Sequence, residues 1–363
     1  MKALKFKSCL IEQTKRYSDG FALPDYLYDE NGGFDREKTI DLLLSEEYGY
    51  LTDRGVELSV SVEKELGEAR YAGKCKKHIR FRFALKRGAS EAYFPVDLLL
   101  PNINEPYPLI VALDFEMSAE KCYCPIEELM ENGVAVARVL YTDVTSDDGD
   151  FENGIAKLLT DRSDPHSAGK IRIWAYAASL VGKFMLDEGY VTKENLYVSG
   201  HSRLGKTALL AAALDTNFAG VHSNNSGCSG VAISREKGGE TVEIICELFP
   251  FWFAPCYKDY ANRESEMPFD QHYLTALIAP RLLSVVTAED DTWADTEAQY
   301  LSLEAASVIY EDYGVVGLDR SQGLLTTGKS SANGNVGLCM RSGSHYFSRD
   351  DWHFFLNFIK SKN

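Results

Sequence analysis

Three blocks of alternating apolar and polar residues open the regular part of the chain: VELSVSVEKEL (56–66), HIRFRFAL (78–85) and AYFPVDLLLP (92–101). Their period of two and their β-branched and aromatic content predict antiparallel strands. The pattern then changes. PLIVALDF (108–115) and VAVARVLY (134–141) are continuous apolar runs, as expected of parallel strands covered on both faces. LYVSG (196–200), AGVHSNNSG (219–227), PRLLSVVTA (280–288) and NVGLCMRSG (335–343) extend the series. Segments with helical apolar spacing alternate with them: PIEELMENG (125–133), IRIWAYAASLVGKFMLDEG (171–189), RLGKTALLAAALD (203–215), TEAQYLSLEAASVIYEDYG (296–314) and DDWHFFLNFIK (350–360).

Strand and helix in alternation predict an α/β protein with a mostly parallel central sheet and helices on both faces. Antiparallel strands leading into such a sheet, and a serine on a strand-to-helix turn after it, describe an α/β-hydrolase layout. Residues 1–54, which include DREKTIDLLLSEEYGYL (35–51), read as a helix-bearing N-terminal extension packed on the core. Residues 55–363 read as a single domain. A chain of 363 residues also admits two domains by length, but one unit accounts better for the alternation. FDQHYLTALIAPR (269–281) carries a further helix, and the glycine- and serine-rich stretch 314–337 reads as a mobile surface connection.

Composition narrows the partners. The net charge of −16 argues against nucleic acid, whose phosphates need a clustered basic face. No apolar run reaches the roughly 18 residues of a membrane span. MKALKFKSCLIEQTKRYS (1–18) breaks into charge within a few residues, so no secretory leader is expected. The cysteines are scattered, and the one close pair, Cys122 and Cys124, has poor zinc spacing without nearby histidines. Free thiols and a cytoplasmic address are the expectation, with neither metal nor organic cofactor.

The candidate chemistry sits in YVSGHSRLGK (197–206). Ser202 is either a helix N-cap, whose hydroxyl satisfies an orphaned backbone N–H, or a nucleophile on a strand-to-helix elbow. The match to G-x-S-x-G is imperfect, because Leu204 holds the second glycine position and Gly205 follows one residue later. Against the cap stand Arg203 and Lys206, two cations in a first helical turn where the dipole disfavours them. Tolerating both suggests that negative charge visits the site, as a tetrahedral oxyanion would. In this layout an acid and then a histidine follow the serine. The acid comes from TAEDDTWADTE (287–297), where Asp291, three residues past Ala288, is favoured over Asp290 and Glu289. Asp295, before T-E-A, reads as a helix cap. Of the two histidines that follow the last strand, His345 lies in a loop able to reach the elbow. His353, between Trp352 and Phe354, reads as a helix-surface or packing residue.

With these residues in place, the chain resembles the glucuronoyl esterases, a carbohydrate esterase family of α/β-hydrolases. GHSRLGK (200–206) looks like their G-C-S-R-x-G-K elbow, and bacterial members with their acetylxylan-esterase-like relatives often carry histidine before the serine. ALIAPRLL (276–283), EDDTWAD (289–295) and the stretch from GSH to DWHFFLNF (343–358) resemble the family in order and spacing. The resemblance implies a triad of Ser202, Asp291 and His345, with Arg203 supporting the oxyanion. It implies that Lys206 binds sugar hydroxyls and that Trp293 faces the substrate. Two departures stand out. Asn225, in NNSG, occupies the place of the glutamate many members use as the acid, which passes that role to Asp291. ALDFEMS (112–118) lacks a glycine-rich oxyanion loop, which increases dependence on Arg203.

The expected reaction is cleavage of a carbohydrate ester through an acyl-enzyme, most simply a 4-O-methylglucuronate ester in a small carbohydrate. Deacetylation of xylo-oligosaccharides and general carboxylesterase activity are the alternatives. A catalytically silent sugar-binding protein is the remote one.

Overall fold

Each run that alternates or stays apolar in the sequence enters one sheet. The computed structural model describes residues 17, 21–67, 71, 73–103, 106–116, 124–322 and 326–362. Residues 1–16 and Cys122 fall outside these, so the readings on a leader and on the C-x-C pair have no structural counterpart. Among the described residues the sheet has ten strands: β1 (Glu57–Leu66), β2 (Cys75–Arg87), β3 (Ser90–Pro101), β4 (Leu109–Asp114), β5 (Ala135–Leu140), β6 (Leu196–His201), β7 (Gly220–Asn224), β8 (Leu282–Ala288), β9 (Lys329–Ser331) and β10 (Val336–Arg341). They lie in the order β1-β2-β3-β5-β4-β6-β7-β8-β10-β9.

The pairing from β1 through β3 to β5 is antiparallel, and from β5 to β10 it is parallel, with β9 antiparallel at the far edge. β4 and β5 are almost wholly buried, which is why they read as unbroken apolar runs, whereas β6 and β7 are wholly buried yet end in polar residues. β1 keeps the alternation of a strand yet is exposed on both faces, with Leu58 and Val62 open to solvent. Periodicity there marks the conformation and not a covered face.

The helices used below are α1 (Arg36–Leu43), α2 (Ile126–Glu131), α3 (Lys170–Asp187), α4 (Arg203–Leu214), α5 (Val242–Leu248), α6 (Thr296–Asp312) and α7 (Arg349–Lys360). Among the described residues, no helix is long and apolar enough to cross a membrane. α3 and α4 pack against each other, and each buries a series of small residues: Ala175, Ala177, Ala178 and Gly182 on one, Ala208, Ala211, Ala212 and Ala213 on the other. α7 starts at a capping box, in which Ser348 and Asp351 satisfy each other's backbone N–H.

Several segments differ from the sequence pattern. The helix expected over 35–51 stops at Leu43 and passes into a π-helical turn, Leu44–Tyr48, which buries Glu47 and Tyr48 completely. Within 269–281 only His272–Ala276 is helical. The stretch 314–337 contains strand β9 and the buried Leu318, so much of its described part is ordered at the sheet edge rather than loose on the surface. α5 had no clear period, being seven residues long, and is recognisable in hindsight by its Thr241 cap, whose hydroxyl accepts from Ile244 N–H.

The topology fixes where chemistry can occur. The chain leaves β4 for β5 on one side and later crosses to β6 on the other, and the diverging connections open a crevice beyond the strands' carboxyl ends. β6 ends at His201. The next residue is Ser202.

Candidate functional site

Ser202 does not cap α4. It occupies the N-cap position, but its side chain makes no capping hydrogen bond. Its backbone is held at φ 57° and ψ −126°, a conformation L-residues rarely adopt. The tight turn demands glycine nearby, since a Cβ on Gly200 would stand 2.1 Å from the carbonyl oxygen of Leu204. A Cβ on Gly205 would stand 2.9 Å from Asn224 O and 3.1 Å from Ser226 Cβ. The displaced glycine of the elbow is thereby explained. The close approach of α4 to the end of β7 falls on Gly205, while Leu204 turns into the core and is fully buried.

From this strained position Ser202 Oγ lies 2.8 Å from His345 Nε2. His345 Nδ1 donates to Asp291 Oδ2 at 2.7 Å. The three residues expected from the sequence therefore form one hydrogen-bonded line. Asp291 is 4% exposed and is fixed from its other side by Ala294 N–H, 3.2 Å from Oδ1. Glu289 and Asp290 are exposed and use their backbone N–H groups on Arg341 O and Gly343 O. The structure thus brings Asp291, and neither neighbour, to the histidine. Asp295 caps α6, accepting from Ala298 N–H.

The loop bearing His345 is strapped by Arg341, which no local sequence signal marks. Its guanidinium donates to Asp351 Oδ1 at 2.7 Å, to Ser342 O at 2.9 Å and to Tyr346 O at 2.5 Å. Beneath His345 lies His201, ring centroids 4.6 Å apart. Burial, and after it the neighbouring His345, press the His201 imidazole down to about 3, so it stays neutral. Its Nδ1 bonds Asn224 Oδ1 at 2.5 Å. His353 sits on α7 beside Glu128, with Nε2 3.3 Å from Oε1.

A cleft of about 180 Å³ opens over Ser202, lined by Arg203, Lys206, Asn225, Glu240, Trp252, Trp293 and His345 among others. None of the described residues of 314–337 reaches it. Trp293 is 44% exposed at the cleft. The two first-turn cations, from which visiting negative charge was inferred, both face resident carboxylates. Arg203 pairs with Asp147, and Lys206 Nζ lies 3.2 Å from Glu240 Oε2 and donates to Ser226 O at 2.6 Å. These carboxylates offset the helix dipole's objection to cations. Arg203 Nε is nonetheless buried without a hydrogen-bond partner, and so is Asn225 Oδ1. Asn225, at the position expected to have lost an acid, donates weakly to Tyr346 O at 3.5 Å.

The six described cysteines are free thiols. Among the described residues, no group of three or more His, Cys, Asp or Glu side chains is placed to hold a metal ion.

Comparison with known proteins locates this arrangement. The model of a family described as "Glucuronyl esterase, fungi" matches residues 84–314, more than half of the chain. A carbohydrate esterase from an unknown prokaryotic organism is 35% identical over 237 residues, covering 64% of this chain and 54% of the relative. The 4-O-methyl-glucuronoyl methylesterase 1 of Sodiomyces alcalophilus is 30% identical over 194 residues, covering 51% of this chain and 39% of the relative. The chain thus spans about half or less of the length of these curated relatives. Among solved structures, a glucuronoyl esterase from Solibacter usitatus superposes with a TM-score of 0.84 at 27% identity, over 94% of this chain and 98% of that one. A promiscuous esterase from a marine bacterial metagenome gives 0.80 at 25% identity, over 93% and 97%.

Proposed function

The chain belongs to the glucuronoyl esterase family, and from that premise we propose that it is a serine esterase that cleaves a 4-O-methylglucuronate ester in a small carbohydrate. The observation that carries the proposal is the line from Ser202 Oγ through His345 to the buried carboxylate of Asp291. A serine held at φ 57° without capping its helix is placed for attack and not for structure.

The Asp291 carboxylate fixes the imidazole tautomer with the proton on Nδ1, leaving Nε2 as the base. His345 takes the proton of Ser202 as Oγ adds to the ester carbonyl carbon. The tetrahedral oxyanion needs donors. Arg203 supplies its backbone N–H, which opens the first turn of α4 where intrahelical acceptors are lacking. Its unpartnered Nε is the second candidate. His345 then returns the proton to the departing alcohol, and water attacks the acyl-enzyme with the same base.

Sugar recognition falls to the opposite wall. An ammonium carries three donors, and Lys206 commits two of them to Glu240 and Ser226. The third remains for a sugar hydroxyl, and Glu240 Oε1 offers an acceptor beside it. Trp293 supplies an apolar face against which a pyranose ring packs. With each cation paired, the cleft carries little net charge, which suits a neutral ester and does not retain its anionic acid product.

The test compares hydrolysis of benzyl glucuronate and acetylated xylo-oligosaccharides by the wild-type protein and Ser202→Ala. Ser202-dependent cleavage of the uronate ester is the expected result. Deacetylation alone would move the substrate to the acetyl alternative, a reading that similarity to an esterase named promiscuous keeps in play. Cleavage of neither substrate would overturn both.

A further inference from the structure

Arg203 is gripped more completely than an ordinary helix-terminal arginine, and the grip converges on one residue. Asp147 lies in the turn after β5, fifty-six residues before Arg203 in sequence. Its Oδ2 accepts from the Arg203 guanidinium and from the Tyr141 hydroxyl at 2.9 Å, and its Oδ1 accepts from Trp252 Nε1 at 2.7 Å. Burial, and then the facing Asp147, hold the Tyr141 phenol well above its ordinary range, so it remains a donor. The guanidinium also lies over the Trp252 ring, 4.7 Å from its centroid, with the Phe249 ring 5.3 Å away on the same wall. Those two rings stack on each other at 3.7 Å and an interplanar angle of 2°.

We propose that Asp147 is a positioning residue for the esterase reaction, clamping Arg203 through Nη1 so that Nε stays free for the developing oxyanion. This rests on the reading of the site as a serine esterase. The geometry separates two functions within one guanidinium. The Nη1 edge is spent on Asp147, whereas Nε is buried and bonds nothing in the protein. A flexible arginine would satisfy Nε against any nearby carbonyl. Leaving a buried donor unmet costs stability, so the guanidinium must be held to keep it from turning to a partner. Three donors on one carboxylate, two of them from rigid aromatic side chains, provide that hold. Arg203, Tyr141 and Trp252 all donate to Asp147, so the carboxylate is the joint at which three segments meet: the turn after β5, the start of α4 and the loop after α5.

The inference makes Asp147 matter to kcat more than to substrate binding, and only while Arg203 is present. The experiment is steady-state hydrolysis of benzyl glucuronate by the wild type, Asp147→Asn, Asp147→Glu, Arg203→Ala and the Asp147→Asn/Arg203→Ala double variant, each with its melting temperature. Loss of one preorganised donor costs about 100- to 1,000-fold in rate, and a misplacement near 1 Å about 100-fold. Asp147→Asn is therefore expected to lower kcat by about 10- to 100-fold with KM changed by less than about threefold. The double variant is expected to be no slower than Arg203→Ala alone. Asp147→Glu, which keeps the charge but displaces it by one methylene, is expected to fold normally and to lose kcat as well. A wild-type rate in Asp147→Asn or Asp147→Glu overturns the inference, as does a double variant slowed by the product of the two single effects. Absence of hydrolysis by the wild type would instead refute the esterase reading itself, which keeps the two failures apart.

Discussion

Glu47 offers a test of the packing that supports the cleft from behind. It sits on the π-helical turn before Gly49, fully buried, and accepts two hydrogen bonds from Gln271 Nε2 at 3.1 and 2.9 Å. Its neighbour Tyr48 donates to Ser229 O at 3.0 Å, two residues beyond the cleft-lining Gly227. Burial outweighs these bonds and lifts the Glu47 carboxyl from its ordinary 4.5 to about 7, with the Asp270 carboxylate adding to the rise. A carboxyl whose folded value is raised binds protons more tightly in the native state. Its contribution is thus fully present below pH 4.5 and is lost as pH climbs through 7. Each unit corresponds to about 1.4 kcal/mol, so the span costs about 3 kcal/mol by pH 8.5.

Glu47→Gln removes the titration, and its amide can still meet the Gln271 amide. Urea unfolding of both proteins at pH 5 and pH 8.5 measures the difference. The variant is expected to gain about 2.5 kcal/mol relative to wild type between the two pH values, because part of the loss is already complete at pH 5, with equal m-values. Parallel curves at both pH values would refute the reasoning.

Other perturbations follow from the same contacts. Gly200→Ala forces a Cβ to 2.1 Å from Leu204 O and is expected to abolish hydrolysis, with a lowered melting temperature or no soluble protein. Glu240→Gln leaves the buried Lys206 ammonium without its carboxylate and is expected to cost about 3–5 kcal/mol in urea unfolding. Adding Lys206→Met to Glu240→Leu is expected to recover most of that stability while raising KM for the uronate ester. Arg341→Met releases the turn that carries His345 and strands the buried Asp351 carboxylate. It is expected to lower both the melting temperature and kcat, the latter by about tenfold or more.

The legibility of this protein in its sequence divides along a physical line. β4 and β5 are readable because burial on both faces leaves an unbroken apolar run, and β6 and β8 because mostly apolar stretches alternate with helical ones. Ser202, Asp291 and His345 were readable because each follows the end of such a strand, in the order the layout imposes. What was not readable are pairings across sequence. Arg203 with Asp147 and Lys206 with Glu240 lie fifty-six and thirty-four residues apart, and nothing local marks which acid each cation finds. From the sequence alone, the two cations therefore point to visiting negative charge rather than to resident carboxylates. Arg341 was hidden for the same reason, since its role depends on a carboxylate ten residues on, in a different element. α5 and β9 escaped because seven and three residues carry too little period to register. The exposure of β1 escaped because alternation reports backbone conformation, whereas burial depends on what lies over the sheet.

The central claim is that Ser202 is a nucleophile activated by His345 and Asp291. It is tested most directly by reaction with a fluorophosphonate probe and mass-spectrometric location of the adduct. The account predicts one adduct per chain, on Ser202, with labelling lost in His345→Ala and slowed by about 1,000-fold or more in Asp291→Asn. Absence of an adduct on Ser202, or equal labelling rates in all three proteins, would contradict it.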